Sequence, residues 1–244
     1  MTGCMRSFDV IRRYFIVMGL LLLTAGCGGG GRNDTSGPKP TPLPSSAVPL
    51  STQLRTLQDH DTWEYAFTYH NDNAGPNAFT ANGIAVAQVG SVVRNGTSYP
   101  TLVYTIVTPS GTMSKSVLFQ QDAGLGDIHQ VGFEDVVFGV SLAFLPGPWY
   151  ADLDFIATAL DPQYQSRFRV VGSETVETQV GRFEAWRVEQ TIMTSTLETR
   201  GTYWYAPQLG QPVRSQYTTA YRTGPYAGQQ YTCTQSLRYT SVAY

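Results

Sequence analysis

The sequence predicts an all-β domain, a single antiparallel sheet built as a meander, and three observations carry that expectation. Aromatic residues make up 12% of the chain, led by 15 tyrosines, beside 24 glycines, a mixture that favours strands joined by turns. The stretch W-E-Y-A-F-T-Y-H alternates, with Trp63, Tyr65, Phe67 and Tyr69 on one side and Glu64, Thr68 and His70 on the other. Period two with aromatics on one face is a half-buried strand. The last third holds successive strand-like runs separated by turn residues, and sequential strands with short turns make a meander.

In chain order, Met1 to Arg13 is a basic segment carrying Arg6, Arg12 and Arg13, and Tyr14 to Leu23 is an apolar run of ten residues. A membrane-spanning helix needs ~20 apolar residues, so this run suits the core of a secretory signal. Met5 is an equally complete start for such a signal. Residues 20–27 read L-L-L-L-T-A-G-C, an apolar run, small residues, then Cys. This pattern resembles the lipobox of bacterial lipoproteins, with Thr24 where the family usually has Leu. The resemblance implies that Cys27 receives a diacylglycerol and becomes the first residue once 1–26 are removed. Gly28 in place of the inner-membrane retention Asp then implies the outer membrane in a two-membrane cell.

Residues 27–50 begin at that Cys and continue through four glycines into P-K-P-T-P-L-P-S-S. Such a composition supports neither helix nor sheet and reads as a disordered tether reaching at most ~70 Å. The β domain is expected over 51–244, one folded unit of about 190 residues. A short helical turn over Thr52 to Asp59 is one reading of its start. Gly83 to Val93 and Tyr99 to Thr108 flank Asn95-Gly96, a hairpin signal because both residues accept positive φ. Met113 to Gln121 follows, then a turn over Asp122 to Gly126 toward Ile128. Val136 to Leu145 is continuously apolar, either a strand buried on both faces or a short buried helix. Pro146-Gly147-Pro148 breaks it. In Tyr150 to Leu160, Leu153, Ile156 and Leu160 fit a helical stripe while the neighbouring chain argues for a strand. Phe168 to Val180, Phe183 to Met193, Thr199 to Tyr205, Val213 to Tyr221 and Tyr231 to Val242 read as five strands.

Within that last region, Val171 to Glu189 and Tyr203 to Arg214 carry a Gly-x-Phe-x-Ala strand, a Trp-Tyr-Ala-Pro turn, a Gly and an outgoing Val-Arg strand. The pattern is similar to that of exported bacterial proteins and lipoproteins, and the resemblance implies a curved sheet, an open half-barrel. It implies a fold and no activity. Alternation puts Trp186, Val188 and Ile192 on one face, with Phe183, Ala185, Arg187 and Glu189 on the other. Trp204 points opposite to Tyr203 and Tyr205, and Arg214 can reach Glu184 or Glu189.

Candidate chemistry is sparse. A net charge of −2 with 14% charged residues argues against a nucleic-acid partner. Of three cysteines, Cys4 leaves with the signal and Cys27 is the lipid site, so Cys233 stands alone as a small buried strand residue. His60 lies between Asp59 and Asp61, with His70 and Asp72 further on; solvated loop residues explain this better than a metal cluster. Asp122 to Asp127 has acids and Gly without the alternating oxygens of a Ca²⁺ loop. Neither Gly90-Ser91 nor Gly172-Ser173 forms a nucleophile elbow. Asp152, Asp154, Glu174 and Glu184 supply carboxylates with no spacing that selects a pair. The chain is therefore expected to be a non-enzymatic envelope lipoprotein without cofactor or metal, catalytic residues none. Its β domain binds an apolar ligand, a lipid or an envelope protein, and its membrane contact is the lipid on Cys27. A purely structural envelope component is the second reading and a hydrolase the third.

Overall fold

Asn95 and Gly96 both have positive φ, 50° and 79°, and this two-residue turn joins β2 (Phe79–Arg94) to β3 (Thr97–Thr108). Positive φ at both central residues gives the turn the twist that matches right-handed strands. The computed structural model describes residues 51, 53–71, 79–108, 111–121, 128–133, 136–145, 149–158, 165–224 and 227–244. The signal (1–26), Cys27, the tether (27–50), the Asp122 to Asp127 turn and Pro146-Gly147-Pro148 lie outside the described residues.

The remaining strands are β1 (Thr62–Asn71), β4 (Gly111–Gln121), β5 (Ile128–Phe133), β6 (Val136–Leu145), β7 (Asp154–Thr158), β8 (Gln165–Thr178), β9 (Gly181–Met193), β10 (Leu197–Ala206), β11 (Gln211–Tyr221) and β12 (Gln230–Thr240). They form one twelve-stranded antiparallel sheet in the order β6-β5-β4-β3-β2-β1-β12-β11-β10-β9-β8-β7. The two chain-terminal strands thus pair at the centre, with Phe67 opposite Gln235, and a six-stranded meander runs outward on each side.

This order forces curvature. Eleven spacings of ~4.8 Å would set β6 and β7 about 53 Å apart in a flat sheet, whereas the chain from Leu145 to Asp154 reaches at most about 32 Å. The sheet therefore curls into the expected half-barrel, and β6 and β7 approach each other. Register shifts at Glu64/Tyr65, Leu118/Phe119, Val170/Gly172 and Trp204/Tyr205 add local bends, as bulges do.

The concave side is packed by pairing large with small. Trp63, Tyr65 and Phe67 of β1 lie opposite Ala87, Ala85 and Gly83 of β2, and all three aromatics are buried. A Cβ on Gly83 would stand 2.8 Å from the Phe67 ring and 2.4 Å from the Val107 carbonyl oxygen. Tyr203 and Tyr217 stack across β10 and β11 with centroids 6.4 Å apart. Trp186, Val188 and Ile192 are buried as expected, but so are Phe183 and Ala185 on the opposite face. Phe183 is covered edge-on by the Tyr244 ring at 5.2 Å.

Three sequence readings need correction or resolution. Residues 53–58 are not helical, because their backbone is claimed by distant groups. Arg55 donates its N–H to the Pro207 carbonyl at 2.8 Å. The Leu57 N–H goes to Gln121 Oε1 at 2.8 Å, and Gln121 returns its Nε2–H to the Arg55 carbonyl at 3.0 Å. Between Tyr150 and Thr158 the helical stripe gives way to an irregular link and β7, since the short strand pairs with β8 through Asp154 opposite Arg169; Leu160 lies outside the described residues. Of the two readings of Val136 to Leu145, the strand holds.

Candidate functional site

The concave side of the half-barrel is aromatic and is covered by two stretches outside the sheet. Residues 51–61 form a strap. Trp186 of β9 donates Nε1–H to the Ser51 carbonyl at 2.9 Å, and six residues later Leu57 is bound to Gln121 of β4. Along the sheet those strands are seven spacings apart, about 34 Å, while Ser51 to Leu57 spans at most about 22 Å. The strap is therefore a chord, and it buries Leu54 and Leu57 in the same core as the concave aromatics. Its far end is pinned by the Arg55–Asp61 ion pair and by Asp61 accepting the Gln58 N–H at 2.7 Å.

The second cover is the link after β6. Trp149 is fully buried, set edge-on between Phe168 at 5.3 Å and Tyr205 at 5.0 Å. Val170 holds this link by accepting the Asp152 N–H and donating to the Leu153 carbonyl, both at 2.8 Å.

Three donors inside this enclosure, Trp63 Nε1, Tyr65 Oη and Trp149 Nε1, are buried with no hydrogen-bond partner among the described residues. A buried polar group without a partner costs about 1–3 kcal/mol, so three in one apolar space is a departure from ordinary core composition. The hydroxyls of Tyr65, Tyr203 and Tyr205 are held protonated far into the alkaline range, by burial first and then by mutual proximity among them and Tyr104 or Cys233. Cys233 is buried at the back of this wall as expected, and burial pushes its thiol up to about 12 against a hydrogen bond from Tyr217 that lowers it.

The outward face is polar. A depression of about 310 Å³ crosses β1, β12 and β11, walled by two cross-strand rows. One is Ala66, Ser236 and Arg214; the other is Thr68, Thr234 and Gln216. The first row continues into Trp204 and Arg187. The Arg214 guanidinium lies over the Trp204 ring at 5.9 Å and donates to the Glu177 carbonyl at 2.9 Å, rather than reaching Glu184 or Glu189. Trp204 in turn donates Nε1–H to Glu174.

Among the described residues, those singled out for catalysis or metal binding do not converge; Asp72 lies outside the described residues. His60 and His70 lie at opposite ends of β1, separated by about 30 Å of strand. His70 Nδ1 is bonded to Thr80 at 2.8 Å. No group of three or more His, Cys, Asp or Glu is arranged to hold a metal ion among the described residues. Asp154 is held ionised by a hydrogen bond from Arg167 and then by its charge, and Asp152 lies 3.6 Å from Arg169. Glu174 is opposite Ala185 and Glu184 opposite Thr175, so alternation sends these two carboxylates to opposite faces. Trp149 and the strap were missed by the sequence reading. Trp149 carried a signal, a large aromatic directly after a Pro-Gly-Pro break.

No family model matches this chain, and no curated protein matches it. Among solved structures it is similar to a Bacteroides fragilis protein described as exported and as having a YmcC-like fold. The two are 17% identical, with a TM-score of 0.44 over 75% of this chain and 96% of the other. A DUF1329 family protein from Desulfovibrio piger is 14% identical, with a TM-score of 0.24 over 76% of this chain and 88% of the other.

Proposed function

We propose that this chain is a non-enzymatic lipoprotein of the bacterial cell envelope, held to a membrane through acylated Cys27, with the outer membrane as its home where there are two. Its half-barrel takes an apolar ligand with a small polar group on the concave side, a lipid being the simplest class. The observation that carries this reading is the set of unpartnered donors, Trp63 Nε1, Tyr65 Oη and Trp149 Nε1, in an aromatic enclosure. An acceptor on a ligand would satisfy what the described residues leave unpaired, and aromatic walls would take its apolar body. Because Trp63 and Trp149 are sealed from solvent, the ligand enters by displacing one of the stretches that cover the concave side.

The competing reading, a structural envelope component with no ligand, draws on the same close packing. Organic extraction of the full-length protein purified from its own envelope separates the two. The expected result is an amphiphile near one per chain beyond the acyl groups on Cys27, with a lower yield from Tyr65→Phe. Extracts containing only the Cys27 acyl groups, from both proteins, would leave the concave side as plain core.

A further inference from the structure

We infer that the outward groove over β1, β12 and β11 is a second binding site, for an acidic saccharide, with Arg214 as its anion-reading residue. The groove is open, about 310 Å³ in volume, and its walls are chemically selective. Thr234 and Ser236 present hydroxyls and Gln216 an amide, neutral groups that both donate and accept, set in surface that is for the most part apolar; the Thr68 hydroxyl donates to Asn82 Oδ1 and keeps its accepting side. Ala66 is the small position that keeps the floor accessible beside them. Such a lining suits a polyhydroxylated ligand, whose own hydroxyls also do both.

Charge narrows the class. Arg214 is the cation among the lining residues, and it is exposed. Its guanidinium is oriented by two contacts, the Trp204 ring and the Glu177 carbonyl, so a planar fork is pre-set at one end of the groove. A guanidinium with one donor engaged keeps others for a carboxylate. A polyphosphate or nucleic acid would call for several cations along its path, and this lining supplies one. Strand addition by a peptide is also disfavoured, because β1, β12 and β11 each have a neighbour on both sides and offer no unpaired edge. Half-buried Trp204, next in the row after Arg214, adds an aromatic surface of the kind on which sugar C–H faces stack, fixed by its bond to Glu174.

This groove opens on the face opposite the concave aromatics, with Phe67, Gln235 and Ser215 between its two rows, and its test does not depend on the ligand proposed for the concave side. Its test is a printed array of acidic and neutral glycans probed with the full-length protein, followed by titration of the best hit against its neutral analogue. Uronate- or sialate-bearing glycans are expected to bind at least about tenfold more tightly than the neutral forms, from one charge-assisted contact. Arg214→Gln should erase that preference. Ser236→Trp, which fills the groove, should abolish binding of both, and Glu184→Gln, outside the groove, should change neither. Melting curves of each variant verify folding. Failure of every acidic glycan to bind, equal binding of both classes, or an unchanged preference in folded Arg214→Gln overturns the assignment.

Discussion

Trp186 and Ser51, 135 positions apart in sequence, are joined by a 2.9 Å hydrogen bond from the indole N–H to the backbone carbonyl. That bond ties the start of the strap to β9. A chain starting at Ser51 should melt with the one starting at Gly28, since 28–50 has the composition of a solvated tether. A chain starting at Gln58 loses the burial of Leu54 and Leu57, about 3–6 kcal/mol, a drop on the order of 10 °C. Trp186→Phe should cost about 1 kcal/mol for the bond alone, and Trp186→Ala about 3–5 kcal/mol. Thermal melts of the five proteins check this, and equal midpoints for the Ser51 and Gln58 starts would refute the strap as a stabilising element.

Gly83 and Gly96 should respond in opposite ways to substitution. At Gly83 an added Cβ meets the Phe67 ring and the Val107 carbonyl, so Gly83→Ala overpacks the wall at about 1–3 kcal/mol. At Gly96 there is open space and a φ of 79°, which Asn tolerates. Gly96→Asn should therefore be nearly silent in a denaturant melt that detects the Gly83 change.

Alkaline pH should unfold the domain through groups buried neutral. The Cys233 thiol ionises near 9 when free and is pushed up to about 12 in the fold. Its contribution is complete below pH 9 and is lost as pH rises toward 12, at about 1.4 kcal/mol per pH unit in that window. The buried tyrosines, raised from an ordinary value of 10, add a further loss that begins above pH 10. Urea melts at pH 8, 9.5 and 10.5 should fall progressively, with Cys233→Ala flat until about pH 10. A native thiol that reacts with a disulfide reagent at pH 8 as fast as the unfolded chain would contradict the burial.

Anchoring is tested at the other end of the chain. Cys27→Ser should leave a larger, unprocessed precursor with no incorporated fatty acid. Labelled palmitate entering the Cys27→Ser protein would remove the lipoprotein reading.

The sequence by itself determined most of the strands, because strand identity is written locally, and left Val136 to Leu145 and Tyr150 to Leu160 between strand and helix. Period-two aromatics at 63–69, Asn95-Gly96, and Gly181 followed by alternating residues each specify backbone geometry within a few positions. It pointed to Cys233 as a small buried strand residue for the same reason. It also carried the lipid-anchor expectation, which depends on linear spacing alone.

Only the tertiary structure decided which strand sits beside which and what covers the concave side. β1 pairs with β12 across more than 150 residues of sequence, and nothing in either strand's pattern names the other. The short link from Leu145 to Asp154, legible as a length, becomes informative only once its two ends are known to be opposite edges of one sheet. Residues 53–58 have a weak local preference that loses to hydrogen bonds their N–H groups donate to Pro207 and Gln121, groups 64 or more positions away. The outward groove is likewise a product of register. Ala66, Ser236 and Arg214 become neighbours because antiparallel ladders align them, and a one-residue slip would turn each of those side chains to the other face.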